Sequence, residues 1–481
     1  MDPKNTPNQA PRQSPRTKIV LSVLALLNAA CWIIPSDVVS LIVRNRHVLL
    51  GRYSREHMTL NLVVLVITLI AVYLETPNPR KKRRRTFQVA ALAVFGIPAL
   101  LITDFLLRTS QPEYYIRDSL AYHRPTDTAF TVSYTDEPQA ARSWPNRKPG
   151  YPTLKCDYHT DARGFRNART RSSCDIVVLG DSFAEGSKVP NDAPWPVLLE
   201  KRTGRSVVNL GMSGYAPAHY VAALTEFGLA ISPHHVICMI YEGNDFRAGN
   251  PQSGAESESI SKRIKRYFKQ SPIRTHLDDL LIRTLGPVGA ERPVANDQAI
   301  SWLPLGLPDG PAAKYYAFDP KQITGLCVDS TAFAAGKVWA NVRRALDALA
   351  QKSSAAGADL TIVYAPTKAH VLLPLVKSRL KADQLRAFVA LRQEKLPPPD
   401  VFFKTVFDRL DTKRNLVARW CNDNNVRFID PAPALARAAQ AGTQVYFTYD
   451  QHWTPEGHAL VAGVIADALP PNKIAEKTLR K

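Results

Sequence analysis

Apolar residues are distributed along this chain in two regimes. Up to about residue 108 they form three long runs, 19–43, 59–74 and 87–107. The first is interrupted by Pro35 and Asp37, the second is short but uncharged, and the third contains one acid, Asp104. A bilayer core needs about 20 mostly apolar residues per helix. The third run is long enough and the second marginal, so an N-terminal membrane region with about three transmembrane helices is expected over 1–108. Residues 109–150 are polar, rich in turn formers, and read as a linker. Beyond them the apolar runs shorten and alternate with helical patterns: strands at 176–179, 206–210 and 236–241, helices at 195–201 and 216–229. This alternation predicts an α/β domain whose central parallel sheet is covered on both faces.

The pattern stops after Asp245. Residues 246–330 are irregular, with one amphipathic stretch at 260–268, and read as an insertion in a domain spanning 151–475. Segments of that length in compact folds are usually lids, binding subdomains or disordered excursions. Leaving the sheet directly after Asn244, this one is expected to shape access to whatever forms there. Alternation resumes with helices at 332–350, 401–422, 432–441 and 455–469 and strands at 360–364 and 426–429.

Charge changes the picture only locally. The net charge is +20, and residues 1–108 hold 15 Lys/Arg against 5 Asp/Glu, so the membrane region carries half of it. Lys4, Arg12, Arg16 and Lys18 before the first run, and residues 80–85 (Arg-Lys-Lys-Arg-Arg-Arg) between the second and third, belong on the cytoplasmic side. The region after Leu107 is then extracytoplasmic, although Arg44, Arg46, Arg52 and Arg55 lie on that side too. A cleavable signal peptide does not fit the long polar leader. The remaining +10 is spread out and reads as a solvated basic surface, with a groove for anionic glycan or lipid headgroups as the alternative. No nucleic-acid motif accompanies it.

The six cysteines include Cys31 in an apolar run and Cys238 in a strand. Cys156, Cys174, Cys327 and Cys421 allow three pairings. Cys156–Cys174 with Cys327–Cys421 is preferred among them, beside the alternative of four free thiols.

The chemistry is concentrated in four segments. Gly180-Asp181-Ser182 follows the apolar run 176–179, which puts a hydroxyl at the carboxyl end of a buried strand, where open α/β sheets form their sites. Asn209 to Gly214, Gly243-Asn244-Asp245 and Asp450-Gln451-His452-Trp453 follow in order. A serine needs a histidine to take its proton and a carboxylate to fix the tautomer. The oxyanion needs converging donors, which the N–H groups of Ser182 and Gly214 and the Asn244 carboxamide can supply. There is no His-Glu-x-x-His, Gly-x-x-x-x-Gly-Lys or Cys-x-x-Cys, so neither a metal nor a cofactor is expected.

These four segments resemble the SGNH (GDSL-like) hydrolase family. The resemblance implies a three-layer α/β/α, flavodoxin-like domain with a central parallel sheet, preceded by the N-terminal α-helical transmembrane region. It implies Ser182 as nucleophile, Gly214 and Asn244 with Ser182 as the oxyanion hole, His452 as base and Asp450 as the orienting acid. Most members space the last pair Asp-x-x-His. Here it is Asp-x-His followed by Trp-Thr-Pro-Glu-Gly, which resembles the alginate-type polysaccharide O-acetyltransferases and related extracytoplasmic SGNH proteins.

A membrane-anchored serine esterase or acyltransferase is therefore expected, removing or transferring O-acetyl groups on cell-envelope glycans, with a membrane acyl-donor protein as a candidate partner. Lipid esters are the next substrate class, and a non-catalytic envelope-assembly or glycan-binding protein is the alternative of another kind. Arg166, in Asp161-Ala162-Arg163-Gly164-Phe165-Arg166-Asn167, is either a ligand for a substrate carboxylate or part of a turn with Gly164 at positive φ. Trp453 either walls the pocket or packs beneath the loop, and His458 is expected as a structural neighbour of the site.

Overall fold

The computed structural model describes residues 15–34, 48–49, 53–109, 116, 121–136, 148–247, 271, 273, 305–308, 313–390 and 395–470. The chain divides into two compact units, Met1–Pro112 with Glu258–Ala295, and Glu113–Ser257 with Asn296–Lys481.

In the first unit, α1 (Pro15–Ile33), α2 (Arg55–Leu74) and α3 (Pro79–Thr109) occupy the three apolar runs, and a two-residue ladder pairs β1 (Val48–Leu49) with β2 (Tyr53–Ser54). Among the described residues one helix, over Pro79–Asp104, is long and apolar enough to cross a membrane. The apolar parts of the other two, Ile19–Ile33 and Leu60–Leu74, are shorter than the expected spans. At about 1.5 Å per residue each falls short of a hydrocarbon core about 30 Å thick. Side chains such as Phe87, Leu92, Phe95 and Leu100 on α3 are exposed.

The second unit is a three-layer α/β/α fold. Its parallel sheet has the order β11-β10-β7-β5-β6, built from β5 (Ile176–Leu179), β6 (Val207–Asn209), β7 (His235–Tyr241), β10 (Asp359–Ala365) and β11 (Arg427–Ile429). Ordered along the chain, this is the doubly wound 2-1-3-4-5 arrangement, which reverses direction between β5 and β7. Side chains alternate between the faces. Ile176, Val178, Ile237, Met239 and Val363 pack on one side with α5 (Trp195–Thr203), α14 (Ala432–Gln440) and α15 (Pro455–Ala468). Val177, Leu179, Val236, Cys238 and Ile362 pack on the other with α6 (Pro217–Ala223), α9 (Lys337–Ala355) and α13 (Thr412–Asp423). Strands buried on both faces need continuous apolar runs, which β5 and residues 236–241 of β7 supply.

Three expectations are corrected. The stretch 109–150 is not only linker: Ala129–Tyr134 forms β3, paired antiparallel with β4 (Leu154–His159). The helix expected over 401–422 is two, α12 (Pro399–Asp408) and α13, parted at Arg409-Leu410-Asp411. All six cysteines are free. Cys421 lies in the core on one face of the sheet, and Cys327 packs against the core on the other, so the sheet itself prevents their pairing. The returning end of the insertion forms a hairpin of β8 (Leu305–Leu307) and β9 (Lys314–Tyr316); the 260–268 stretch lies outside the described residues.

A buried ion-pair cluster sits at the break before α13. The Asp411 carboxylate accepts from His370 Nε2 at 3.2 Å, and His370 Nδ1 meets the buried Glu242 carboxylate at 2.9 Å. Burial opposes a charged imidazole, but Glu242 and Asp411 outweigh it and raise His370 to about 10. Burial also opposes the Glu242 carboxylate, and His370 outweighs that, lowering its pKa. A histidine raised in the folded state stabilises fully below its unfolded pKa, about 6.5, and the contribution fades as pH rises through about 10. Replacing His370 with Gln, followed by denaturant unfolding of the full chain in detergent, is expected to cost about 3–5 kcal/mol near neutral pH. The gap from wild type should narrow toward about pH 10; a pH-independent gap would show that the imidazole is not charged.

Candidate active site

The polypeptide reverses between β5 and β7, and there two loops open side by side at the carboxyl end of the sheet. Ser182 opens the short helix α4 (Ser182–Glu185) directly after β5, and Asn244 follows β7. Asp181 caps α4: its Oδ1 accepts from the Phe183 N–H at 2.9 Å, and Oδ2 accepts from Asn244 Nδ2 at 2.9 Å. Burial pushes Asp181 up to about 6, against the pull of these donors and of His452. Behind it Asp245 is also buried, and burial together with the Asp181 carboxylate pushes it well above the usual range. The Tyr220 hydroxyl reaches both of its oxygens at 2.9 Å.

The loop preceding α15 supplies the rest. His452 Nε2 lies 2.7 Å from Ser182 Oγ, and His452 Nδ1 lies 2.5 Å from Asp450 Oδ1, which also accepts the His452 N–H at 2.9 Å. Ser182 and His452, 270 residues apart, are thus in direct contact with the carboxylate behind the imidazole. Burial would raise the Asp450 carboxyl, but the imidazole and the Lys188 ammonium hold it far below the ordinary range. Phe183 packs against the imidazole with ring centroids 4.8 Å apart.

Gly214 sits at φ 84°, and a Cβ there would lie 2.9 Å from the Tyr122 hydroxyl, so both backbone and space call for glycine. Among the described residues neither the Ser182 nor the Gly214 N–H has an intramolecular acceptor. The preceding Ser213 N–H donates to the buried Glu185 carboxylate at 3.0 Å, and Glu185 accepts from Arg124 Nε at 2.6 Å. The expected Ser182, Gly214, Asn244, Asp450 and His452 therefore lie on loops opening at one end of the sheet. His452 bonds both Ser182 and Asp450, whereas Asn244 donates to Asp181.

The remaining readings resolve simply. Arg166 is buried, with Nη2 donating to the Val189 carbonyl at 2.7 Å and Nε to Asn191 Oδ1 at 3.0 Å, so it organises the loop after α4 instead of meeting a substrate carboxylate. Gly164 has φ 77°. Trp453 is buried beneath the loop, and the His458 Nδ1 accepts from the Trp195 N–H at 3.3 Å. Burial lowers His458 to about 3, which keeps it neutral. The described residues contain no His, Cys, Asp or Glu cluster suited to a metal ion.

Several residues at the site were not singled out from the sequence. Asp136, beyond β3, accepts the N–H groups of Thr448 at 2.6 Å, Tyr449 at 3.2 Å and Asp450 at 3.0 Å. The buried Lys368, opening α10 (Lys368–Leu372), donates to the carbonyls of Phe447 and Thr448 at 2.9 Å and of Asp450 at 2.7 Å. Three acceptors match the three protons of an ammonium. Burial pulls Lys368 down to about 7, opposed by Asp136 and Asp450. None of these residues belongs to a motif; the period-2 alternation of 129–134 was the available signal, since it marks the strand that carries Asp136 to the loop.

The GDSL-like Lipase/Acylhydrolase family matches residues 178–460. No curated protein matches the chain. Among solved structures, a lipolytic protein of the G-D-S-L family from Desulfitobacterium hafniense DCB-2 aligns at 13% identity over 62% of this chain and 100% of its own, with a TM-score of 0.30. A variant of an acetylxylan esterase from Geobacillus stearothermophilus aligns at 12% identity, over 62% and 95%, with a TM-score of 0.27. The psychrotrophic esterase EstA from Pseudoalteromonas sp. aligns at 11% identity, over 64% and 100%, with a TM-score of 0.25. With a match across more than half of its length, the chain belongs to the GDSL-like lipase/acylhydrolase family, hydrolases acting on ester bonds.

Proposed function

We propose that this chain is a membrane-anchored serine enzyme that removes or transfers O-acetyl groups on extracytoplasmic glycans through an acyl-Ser182 intermediate. The observation that carries the reading is the Asp450–His452–Ser182 contact series, 2.5 Å and then 2.7 Å. As Ser182 Oγ attacks the ester carbonyl, His452 takes its proton, and Asp450 fixes the tautomer and stabilises the imidazolium. The developing oxyanion is met by the Ser182 and Gly214 N–H groups and the Asn244 carboxamide. His452 returns the proton to the departing alcohol, leaving the acyl group on Ser182. Water or a sugar hydroxyl, deprotonated by the same imidazole, then takes the acyl group. The Asp-x-His spacing followed by Trp-Thr-Pro-Glu-Gly supports a sugar acceptor, and a membrane acyl-donor protein is the partner that transfer would require.

Anchoring rests on α3. Its basic start, residues 80–85, belongs in the cytoplasm, so a single crossing by the apolar part of α3 beyond it suffices to leave the catalytic unit outside. α1 and α2, whose apolar parts are shorter than a hydrocarbon core, would have to cross as well for the anchor to be multi-pass.

The triad reading makes sharp demands. Detergent-solubilised wild type should label with a serine-directed fluorophosphonate, and Ser182→Ala and His452→Ala should not; a folded, unlabelled wild type would favour a glycan-binding protein instead. In p-nitrophenyl acetate turnover, Asn244→Ala should lower kcat by roughly 10²–10³, and a loss of less than about tenfold would remove it from the oxyanion hole. Asp450→Asn should reduce kcat by on the order of 10⁴ through the wrong imidazole tautomer, whereas retained activity would assign the orienting acid elsewhere.

A further inference from the structure

Lys188 lies in the loop that leaves the nucleophile helix, outside every segment that carries the chemistry. Its backbone has φ 69°, in the left-handed region that side chains other than glycine, asparagine and aspartate seldom enter. Three contacts hold it there. Its N–H donates to the Tyr158 hydroxyl at 2.8 Å, its ammonium stands 5.2 Å from the centre of the Tyr134 ring, and the same ammonium pairs with Oδ2 of Asp450. Both tyrosines belong to the β3–β4 hairpin. Asp450 gives Oδ1 to His452, so Lys188 takes the oxygen that remains.

We propose that Lys188 is a positioning residue of the active site, fixing the Asp450 carboxylate and moderating the charge it presents to His452. The proposal rests on the triad reading. A carboxylate held at both oxygens cannot swing away from the imidazole. A cation on the far oxygen also weakens the hold of that carboxylate on the imidazolium, which favours return of the proton to the leaving alcohol. The other charged and titratable groups around the dyad come from separate elements: Asp181 from the β5–α4 turn, Tyr241 from β7, His458 from α15, Asp136 and Tyr134 from the hairpin, and Lys368 from α10. Asp136 serves the loop N–H groups and Lys368 the loop carbonyls. Among the described residues, Lys188 supplies the ammonium paired with the Asp450 carboxylate, whose other oxygen meets the His452 imidazole.

The test uses the full chain in detergent and the pH profile of kcat/KM for p-nitrophenyl acetate. Lys188→Met should lower kcat about tenfold with little change in KM and move the acid limb of the profile to higher pH by about one unit. Lys188→Arg should restore most of both. Lys188→Gly removes the ammonium while favouring the left-handed backbone, so it should behave like Lys188→Met even if the latter folds poorly. If the Gly and Met variants keep the wild-type acid limb, whether or not the rate falls, the proposal is overturned and Lys188 is at most a structural residue. Ser182→Ala, assayed in parallel, separates the two levels: turnover surviving there removes the triad reading itself, whereas turnover lost there beside unshifted Lys188 profiles removes only the role of Lys188.

Discussion

The loop that carries Asp450 and His452 is held by two buried charges of opposite sign. Residues 447–450 lie in neither helix nor regular strand, and a buried backbone must still find partners for its N–H and C=O groups. A neighbouring strand would ordinarily supply them. Here the Asp136 carboxylate collects N–H groups from three consecutive residues, and the Lys368 ammonium collects three carbonyls. Charge-assisted bonds are shorter and stronger than neutral ones, and two such hubs fix a segment in three dimensions, where a ladder fixes it mainly along one. The 2.7 Å approach of His452 to Ser182 depends on that frame, because the two residues belong to elements with no hydrogen-bonded strand between them.

The same device recurs on the opposite wall. Glu185 emerges one turn after Ser182, is neutralised by Arg124, and receives the Ser213 N–H just before Gly214. The chain ahead of β5 therefore reaches both catalytic loops, with Arg124 behind one and Asp136 behind the other. Removing that stretch would leave the sheet and the four motif segments intact and the loops without their anchors. This is the physical reason that a region resembling a linker is part of the enzyme.

What could be read from the sequence divides along the same line. Continuous apolar runs must be buried strands, so β5, β7 and β10 were legible, and with them the parallel sheet. Ser182, Gly214, Asn244, Asp450 and His452 were picked out because acyl chemistry would demand those residue types in that order, and the structure sets His452 against both Ser182 and Asp450. Asp136, Lys188 and Lys368 were not, since an isolated charged residue looks the same whether it is solvated or buried against a loop; only tertiary distance separates the cases. The helix expected through 401–422 failed for a related reason. Asp411 gives its carboxylate to His370, and a partner some 40 residues away leaves no trace in local periodicity. Of the two cysteine readings the free thiols hold, and Cys327–Cys421 is excluded by topology, because counting cysteines does not reveal which face of a sheet each one occupies.

The insertion follows from this frame as something more than an appendage. It departs just beyond Asn244, whose amide bonds Asp181 beside the nucleophile. It returns through β9, and immediately after that strand the Ala317 N–H donates to the Thr448 carbonyl at 2.7 Å, on the loop that Lys368 also grips. Both of its attachments are therefore made beside the loops that carry Asn244 and the Asp450–His452 pair, so the packing of one end of the sheet depends on where the insertion leaves and returns.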